Sequence, residues 1–171
     1  AEAGVIWGEL DAATQQYGLA TPGGVVSDTG IAGLTVGGGL GWLRRKHGLS
    51  SDNLRSVEIV TADGRLLTAN EDQNADLFWA VRGGGGNFGV VTCFEYALHP
   101  VGPNVAVANV WHPGEGKHGI DALRFYRRYT SNLPDEVSSF AILAQVPAAE
   151  EFPDEWHGRQ AVWFFAVYVG G

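Results

Sequence analysis

Cysteine is nearly missing from this chain. Cys93 is the single one among 171 residues, so an internal disulfide is excluded. A lone thiol suits a reducing compartment, which makes the cytoplasm the expected location. Basic residues are also scarce. Eleven Lys and Arg face 19 Asp and Glu, a net charge of −8, and the one basic run is Arg44-Arg45-Lys46. Nucleic-acid binding needs a basic face to neutralise phosphates, so no nucleic-acid partner is expected. No run of 18 apolar residues occurs, which predicts no membrane-spanning helix. The opening residues lack the charged segment and apolar stretch of a secretory signal, and none is expected.

What the chain has in excess is glycine. Its 25 glycines are about twice the share expected from a background of roughly 7%. They gather at 23–48 and 83–89, which suggests backbone loops that approach a ligand closely. Main-chain N–H groups can hold an anionic ligand without lysines, so the acidic balance is no obstacle.

Gly84-x-Gly86-x-x-Gly89 fits the fingerprint of a Rossmann dinucleotide turn. That turn needs a strand before the glycines and a helix after them. Here "NADLFWAVRGG" reads as a helix, with Asn74 or Asp76 as N-cap and Gly83 as its stop. The β-rich "GVVTCFEYALHP" comes next. The order is reversed, and the Rossmann reading is rejected.

Elsewhere "AEAGVIW" reads as strand, "GELDAATQQYG" as a helix ending at Gly18, and "GWLRRKHG" as a short helix capped by Gly48. The glycine-rich "LATPGGVVSDTGIAGLTVGGGLGWL" favours loops and short strands. "LRSVEIVTADGRLLTAN" predicts a hairpin, with Asp63-Gly64 in a type I′ turn. Beyond Pro103 come a strand (NVAVANVWHP), an amphipathic helix (GIDALRFYRRYTSNLP) with solvated arginines, and two further strands. The fold class is α+β, with a boundary near 100–104.

Single residues mostly take bland roles. Phe78 and Trp79 are expected in the core, and Cys93 as a buried, inert thiol. His112 and His118 flank a solvated turn, and no metal site is expected there for want of a convergent third ligand. Ser50-Ser51-Asp52 lacks triad logic and reads as a cap or turn.

Several ordered motifs together point further. "TGIAGLTVGGGLGWL", "HGLSSDNL", the VxxADG hairpin and "DLFWAVRGGGGNFGVV" resemble, over roughly residues 4–103, the second half of an FAD-binding domain. The family is that of flavin-linked oxidases of the p-cresol methylhydroxylase or vanillyl-alcohol oxidase type, and within it the berberine-bridge-enzyme-like branch. The resemblance implies residues 1–103 as the C-terminal half of a PCMH-type FAD-binding domain. It implies 104–171 as the beginning of an antiparallel-sheet substrate domain.

It also implies a cofactor wall. Thr29, Gly30, Ala32 and Gly33 would lie along the flavin and its pyrophosphate, and Gly37, Gly38, Gly39, Gly41 and Trp42 would continue the wall. Asn53 and Gly89, Val90 and Val91 would approach the adenosine side or support the loop that does. Glycine admits main-chain N–H groups to within about 3 Å of phosphate oxygens, and a helix starting near Gly41 would add a modest dipole.

The chain also departs from the family. Val26 stands where some members carry a flavin-linking cysteine. Leu34 stands where a histidine meets the flavin pyrimidine ring, and a leucine donates no hydrogen bond. The family's first pyrophosphate loop would precede Ala1 and its catalytic base would lie beyond Gly171, so the chain reads as an internal piece and its catalytic residues stay unassigned. The implied activity is hydride transfer from an alcohol, sugar, amine or secondary metabolite to flavin, with reoxidation by O2. The alternative is a non-catalytic flavin-domain remnant acting as a binding module. The apolar "AVWFFAVYV" reads as an unpaired sheet edge, which predicts homo-oligomerisation or association with another segment.

Overall fold

The computed structural model describes residues 1–170. Contacts divide the chain into two compact units, Ala1–Asn104 and the residues from Val105 onward.

The first unit is built on a three-stranded antiparallel sheet. β2 (Leu54–Val60) lies at its centre between β3 (Leu66–Asn70) and β4 (Val90–Tyr96). Apolar residues of β2 alternate with Arg55 and Glu58, but Leu54 and Val57 both point inward. A register shift between Leu54 and Ser56 makes that possible, because one extra residue swaps the faces of a strand. The core gathers Leu54, Val57, Ile59, Ala69 and Phe94 from the sheet with Trp7, Ile31, Phe78 and Val81 from the helices.

Helix α1 (Trp7–Gln15) starts with Glu9 reaching back to the Ile6 N–H and stops at Gly18, whose φ is +66°. The expected strand over residues 1–7 is reduced to isolated bridges, Glu2 with Cys93 and Ile6 with Gly30. A two-residue β1 (Leu19–Ala20) pairs with β5 (His99–Pro100). The next glycine-rich stretch, expected as loops and short strands, instead contains helix α2 (Ile31–Val36). Burial of Ile31 and Thr35 on one face of that helix outweighs the low helix propensity of Gly33. Helix α3 (Arg44–His47) ends at Gly48, with φ +78°.

The hairpin β2–β3 forms, but not through a type I′ turn. Gly64 alone has positive φ, and its N–H bonds the Thr61 carbonyl while Thr61 N–H bonds Arg65. Asp63 keeps an ordinary backbone and uses its carboxylate to hold Thr61 Oγ1 and Arg65 Nε.

Helix α4 (Ala75–Val81) begins after Asn74, a left-handed residue whose side chain bonds the Thr68 carbonyl. Phe78 is buried, as expected. Trp79 is not: it is 74% exposed. Phe78 and Val81 are three apart and claim the buried face, which turns Trp79 to the outside. Cys93 is half-buried rather than sealed.

The second unit is a sheet of β6 (Ala106–Pro113), β8 (Gln160–Tyr168) and β7 (Val137–Gln145), in that order. This corrects the edge expected at residues 161–169. β8 pairs with β6 from Ala106↔Tyr168 to Pro113↔Ala161, and with β7 from Val137↔Tyr168 to Gln145↔Gln160. The edges of this sheet are β6 and β7. Helix α5 (Gly116–Thr130) buries only Gly119 and Ala122, while Ile120 and Phe125 stay exposed, so its cover is partial. Trp111, Trp163, Phe140 and Phe165 interlock by ring contacts, and Trp163 Nε1 donates to Asn109.

Candidate FAD-binding surface

The expected cofactor residues fall into two groups with different physical reasons for being glycine. Segment 27–31 is fastened to the start of α1: Trp7 N–H bonds the Thr29 carbonyl at 3.0 Å, Gly8 bonds Ser27 at 2.8 Å, and Ile31 bonds Val5 at 3.0 Å. Gly30 then caps α2 with φ −64° and ψ 136°, a backbone open to any residue. No described atom lies within 4 Å of where a Cβ would stand on Gly30 or Gly33. Gly30, Gly33 and Gly37 are all exposed and, spaced by three and four, share one face of α2. Nothing among the described residues demands glycine at 30 or 33. Helix geometry leaves the first-turn N–H groups, Ala32 and Gly33 among them, without an intrahelical acceptor.

Gly38, Gly39 and Gly41 differ. Gly38 and Gly39 have φ of +111° and +83°. A Cβ on Gly39 would overlap the Ser50 side chain, and one on Gly41 would overlap the Gly23 carbonyl. Ser50 N–H bonds the Gly39 carbonyl at 3.1 Å, and Ser51 N–H bonds Gly38 at 2.9 Å. These glycines are needed by the chain's own packing. Leu34 sits between two of these loops, with Cδ1 against Gly24 and Cδ2 against Gly39, and Trp42 is half-buried nearby in sequence. The helix expected near Gly41 starts only at Arg44 and is four residues long, so it supplies no dipole there.

Trp7 Nε1, Thr21 Oγ1 and Ser50 Oγ are buried without a hydrogen-bond partner among the described residues. Buried polar atoms are nearly always paired, by protein, water or ligand. Ser50 lies against Gly39 and Trp7 against Gly23 and Gly24; unmatched polar atoms at these turns, in a unit that also carries an open glycine face, fit a large polar cofactor.

The remaining expected residues are Asn53, Gly89, Val90 and Val91. Asn53 is 5% exposed, and its Nδ2 donates to the carbonyls of His47 (2.8 Å) and Leu49 (2.7 Å), while its Oδ1 meets His99 Nε2 at 2.6 Å. Its side chain is fully engaged inside the protein. A Cβ on Gly89 would meet the Val60 carbonyl, so this glycine lets β4 start tight against β2. Val90 is exposed and Val91 half-buried, opposite Val60 and Ile59.

Two links escaped sequence reasoning. Gly83 N–H bonds the Val36 carbonyl at 3.0 Å and ties the end of α4 to the end of α2. Thr35 Oγ1 and the Tyr96 hydroxyl lie 2.8 Å apart, and burial pushes the Tyr96 phenol up to about 12 against the opposing pull of that hydrogen bond. Neither pair is near in sequence, so no local pattern marks it. Among the described residues no group of three His, Cys, Asp or Glu is placed to hold a metal; His112 lies in β6 and His118 in α5.

Residues 1–70 match the family described as "FAD binding domain". That segment is similar to FAD-binding domains. The chain is similar to the FAD-linked oxidoreductase pgmH of Aspergillus terreus, with 50% identity over 154 residues, 90% of this chain and 31% of that protein. It superposes on 6-hydroxy-D-nicotine oxidase from Arthrobacter nicotinovorans with a TM-score of 0.86 at 29% identity, over 99% of this chain and 36% of that one. A berberine-bridge-enzyme-like protein of Physcomitrella patens gives 0.82 at 29% identity, over 100% of this chain and 34% of that one. The fold is thus the mixed α/β, antiparallel-sheet architecture of PCMH-type FAD-binding domains, and the cofactor is FAD. The chain spans about a third of the length of these relatives.

Proposed function

We propose that the protein is an FAD-dependent oxidoreductase of the oxidase type, in the berberine-bridge-like branch. Residues 1–103 contribute the second half of its flavin domain, and 104–171 the start of its substrate domain. The observation that supports this best is the open glycine face of α2, where no described residue gives Gly30 and Gly33 a reason to lack a side chain.

When bound, FAD supplies the redox chemistry, accepting a hydride at N5 from an alcohol, sugar, amine or secondary metabolite and passing its electrons to O2. The chain's own residues bind and orient. Gly30, Gly33 and Gly37 admit the cofactor to the α2 backbone, and the first-turn N–H groups offer donors to its oxygens. Gly38, Gly39 and Gly41 hold the neighbouring turn, while Leu34 and Trp42 present apolar bulk. Leu34 donates no hydrogen bond, so a flavin oxygen facing it must be met by backbone or by another side chain.

The test has two steps. The chain is incubated with FAD, freed of excess ligand by gel filtration, and its visible spectrum recorded; a colourless protein peak tells against a usable site in these residues. The full-length protein is then mixed anaerobically with candidate sugars, alcohols and amines. Bleaching by a substrate and recovery in air support the oxidase reading. Retained flavin that no substrate bleaches favours a binding module, and bleaching without recovery in air favours a dehydrogenase.

A further inference from the structure

The glycine turn at 38–41 is anchored from two directions, and both anchors meet at His99. From one side, Asn53 Nδ2 holds the carbonyls of His47 and Leu49. Ser50 and Ser51, between Leu49 and Asn53, hold the carbonyls of Gly39 and Gly38. With both protons of the Asn53 amide given to carbonyls, its Oδ1 is the acceptor for His99, and Nε2 of His99 carries the donated proton. From the other side, β5 begins at His99 and pairs with β1. β1 runs directly into Thr21–Gly24, where the Gly23 carbonyl touches Gly41. The His99 ring also stacks on His47, with centroids 3.8 Å apart and planes 11° from parallel.

We propose that His99 is a positioning residue for the FAD site: acting through Asn53 it sets the Gly38–Gly41 turn, and its stacking on His47 makes that hold sensitive to acid. The inference rests on this turn being part of the FAD site. Two imidazolium rings cannot stay face to face at this distance without strong repulsion. The surrounding charges are mixed. Lys46 on α3 and Arg55 on β2 oppose a further positive charge. Asp52, Glu71, Asp72 and Glu95 line the cleft that His99 shares with Asn53 and Arg55. Burial first, then neighbouring positive charge, holds both imidazoles below the ordinary value of 6.5. The folded form therefore binds fewer protons than the unfolded one. The hold is complete above about 6.5 and is lost as pH falls below it.

The experiment is amide hydrogen exchange on the chain at about pH 7.5 and about pH 5.5, either side of the ordinary histidine value. It uses wild type, His99→Gln and His99→Ala, with FAD titrated into each. In wild type, protection of the Ser50 and Ser51 amides should fall about tenfold in acid, while Val57 and Ile59 in β2 hold steady. His99→Gln keeps a donor without the titrating ring and should retain protection at both pH values. His99→Ala should lose it at both, and should bind FAD about tenfold more weakly at the higher pH.

An equal acid response in wild type and His99→Gln overturns the proton sensitivity, and this comparison decides even if His99→Ala fails to fold. Unchanged Ser50 and Ser51 protection in His99→Ala overturns the positioning role, as does equal FAD affinity in all three forms. FAD bound by none of them, with the exchange pattern as expected, counts against the FAD-site reading and leaves the His99–Asn53 hold standing.

Discussion

Gly41 rests against the carbonyl of Gly23 so closely that a single methyl group at 41 would occupy the space of that oxygen. Two loops separated by helix α2 are thereby locked together through bare backbone. Gly33, a short distance away in the chain, faces open space instead. Glycine-rich sequence thus conceals two requirements, one of the fold and one of the ligand.

The contrast is measurable by urea denaturation with a parallel FAD titration. Gly41→Ala should destabilise the chain by about 2–3 kcal/mol, since overpacked backbone must shift. Gly33→Ala should stabilise it by about 0.5–1 kcal/mol through better helix propensity. The same methyl stands on the open face of α2 and should weaken FAD binding. A Gly33→Ala protein with unchanged FAD affinity would remove that face from the site.

Neighbours on α4 should behave in opposite ways. Phe78 is 1% exposed, with the Arg82 guanidinium over its ring at 4.7 Å. Phe78→Ala should cost about 3–5 kcal/mol. Trp79→Ala should change stability by no more than about 0.5 kcal/mol. Equal losses for the two in thermal denaturation would mean that Trp79 is packed after all.

Tyr96 should set an alkaline limit. Its folded-state pKa, raised to about 12, lies above the ordinary value of 10.0. The stabilisation is therefore complete below about 10 and disappears as pH rises toward 12. Tyrosinate absorbance should show one phenol ionising late and together with unfolding. Tyr96→Phe should abolish that late step and, by stranding buried Thr35, cost about 1 kcal/mol at neutral pH.

Asn53→Ala removes three hydrogen bonds at once, strands the His47 carbonyl and leaves the Leu49 carbonyl only the Asp52 N–H. A loss on the order of 3 kcal/mol is expected in equilibrium denaturation. A near-neutral result would show that water replaces the amide and that the loop does not depend on it.

Much of the fold was legible from short-range signals. β2, β3, β4 and the three longer strands of the second unit each announce themselves by β-branched and aromatic runs between turns. Gly18 and Gly48 end their helices with positive φ as local chemistry requires. Failures came where a neighbour distant in the chain decided. α2 forms in a sequence poor in helix signals because the sheet side buries Ile31 and Thr35. Asp63 did not need positive φ because its carboxylate found Thr61 and Arg65. β8 has the apolar content of a strand needing cover, and only pairing shows that it has partners on both sides.

The candidate site divides along the same line. From its residues alone the chain determined that backbone must come close to something at 30–41, because no other residue type is so enriched there. Which glycines serve the protein and which leave room for FAD was decided only in three dimensions, by whether a missing Cβ would strike Ser50, strike Gly23 or meet nothing. Steric exclusion depends on what stands opposite, and what stands opposite Gly39 and Gly41 comes from loops roughly 10 to 20 residues away, a separation that local sequence patterns do not encode.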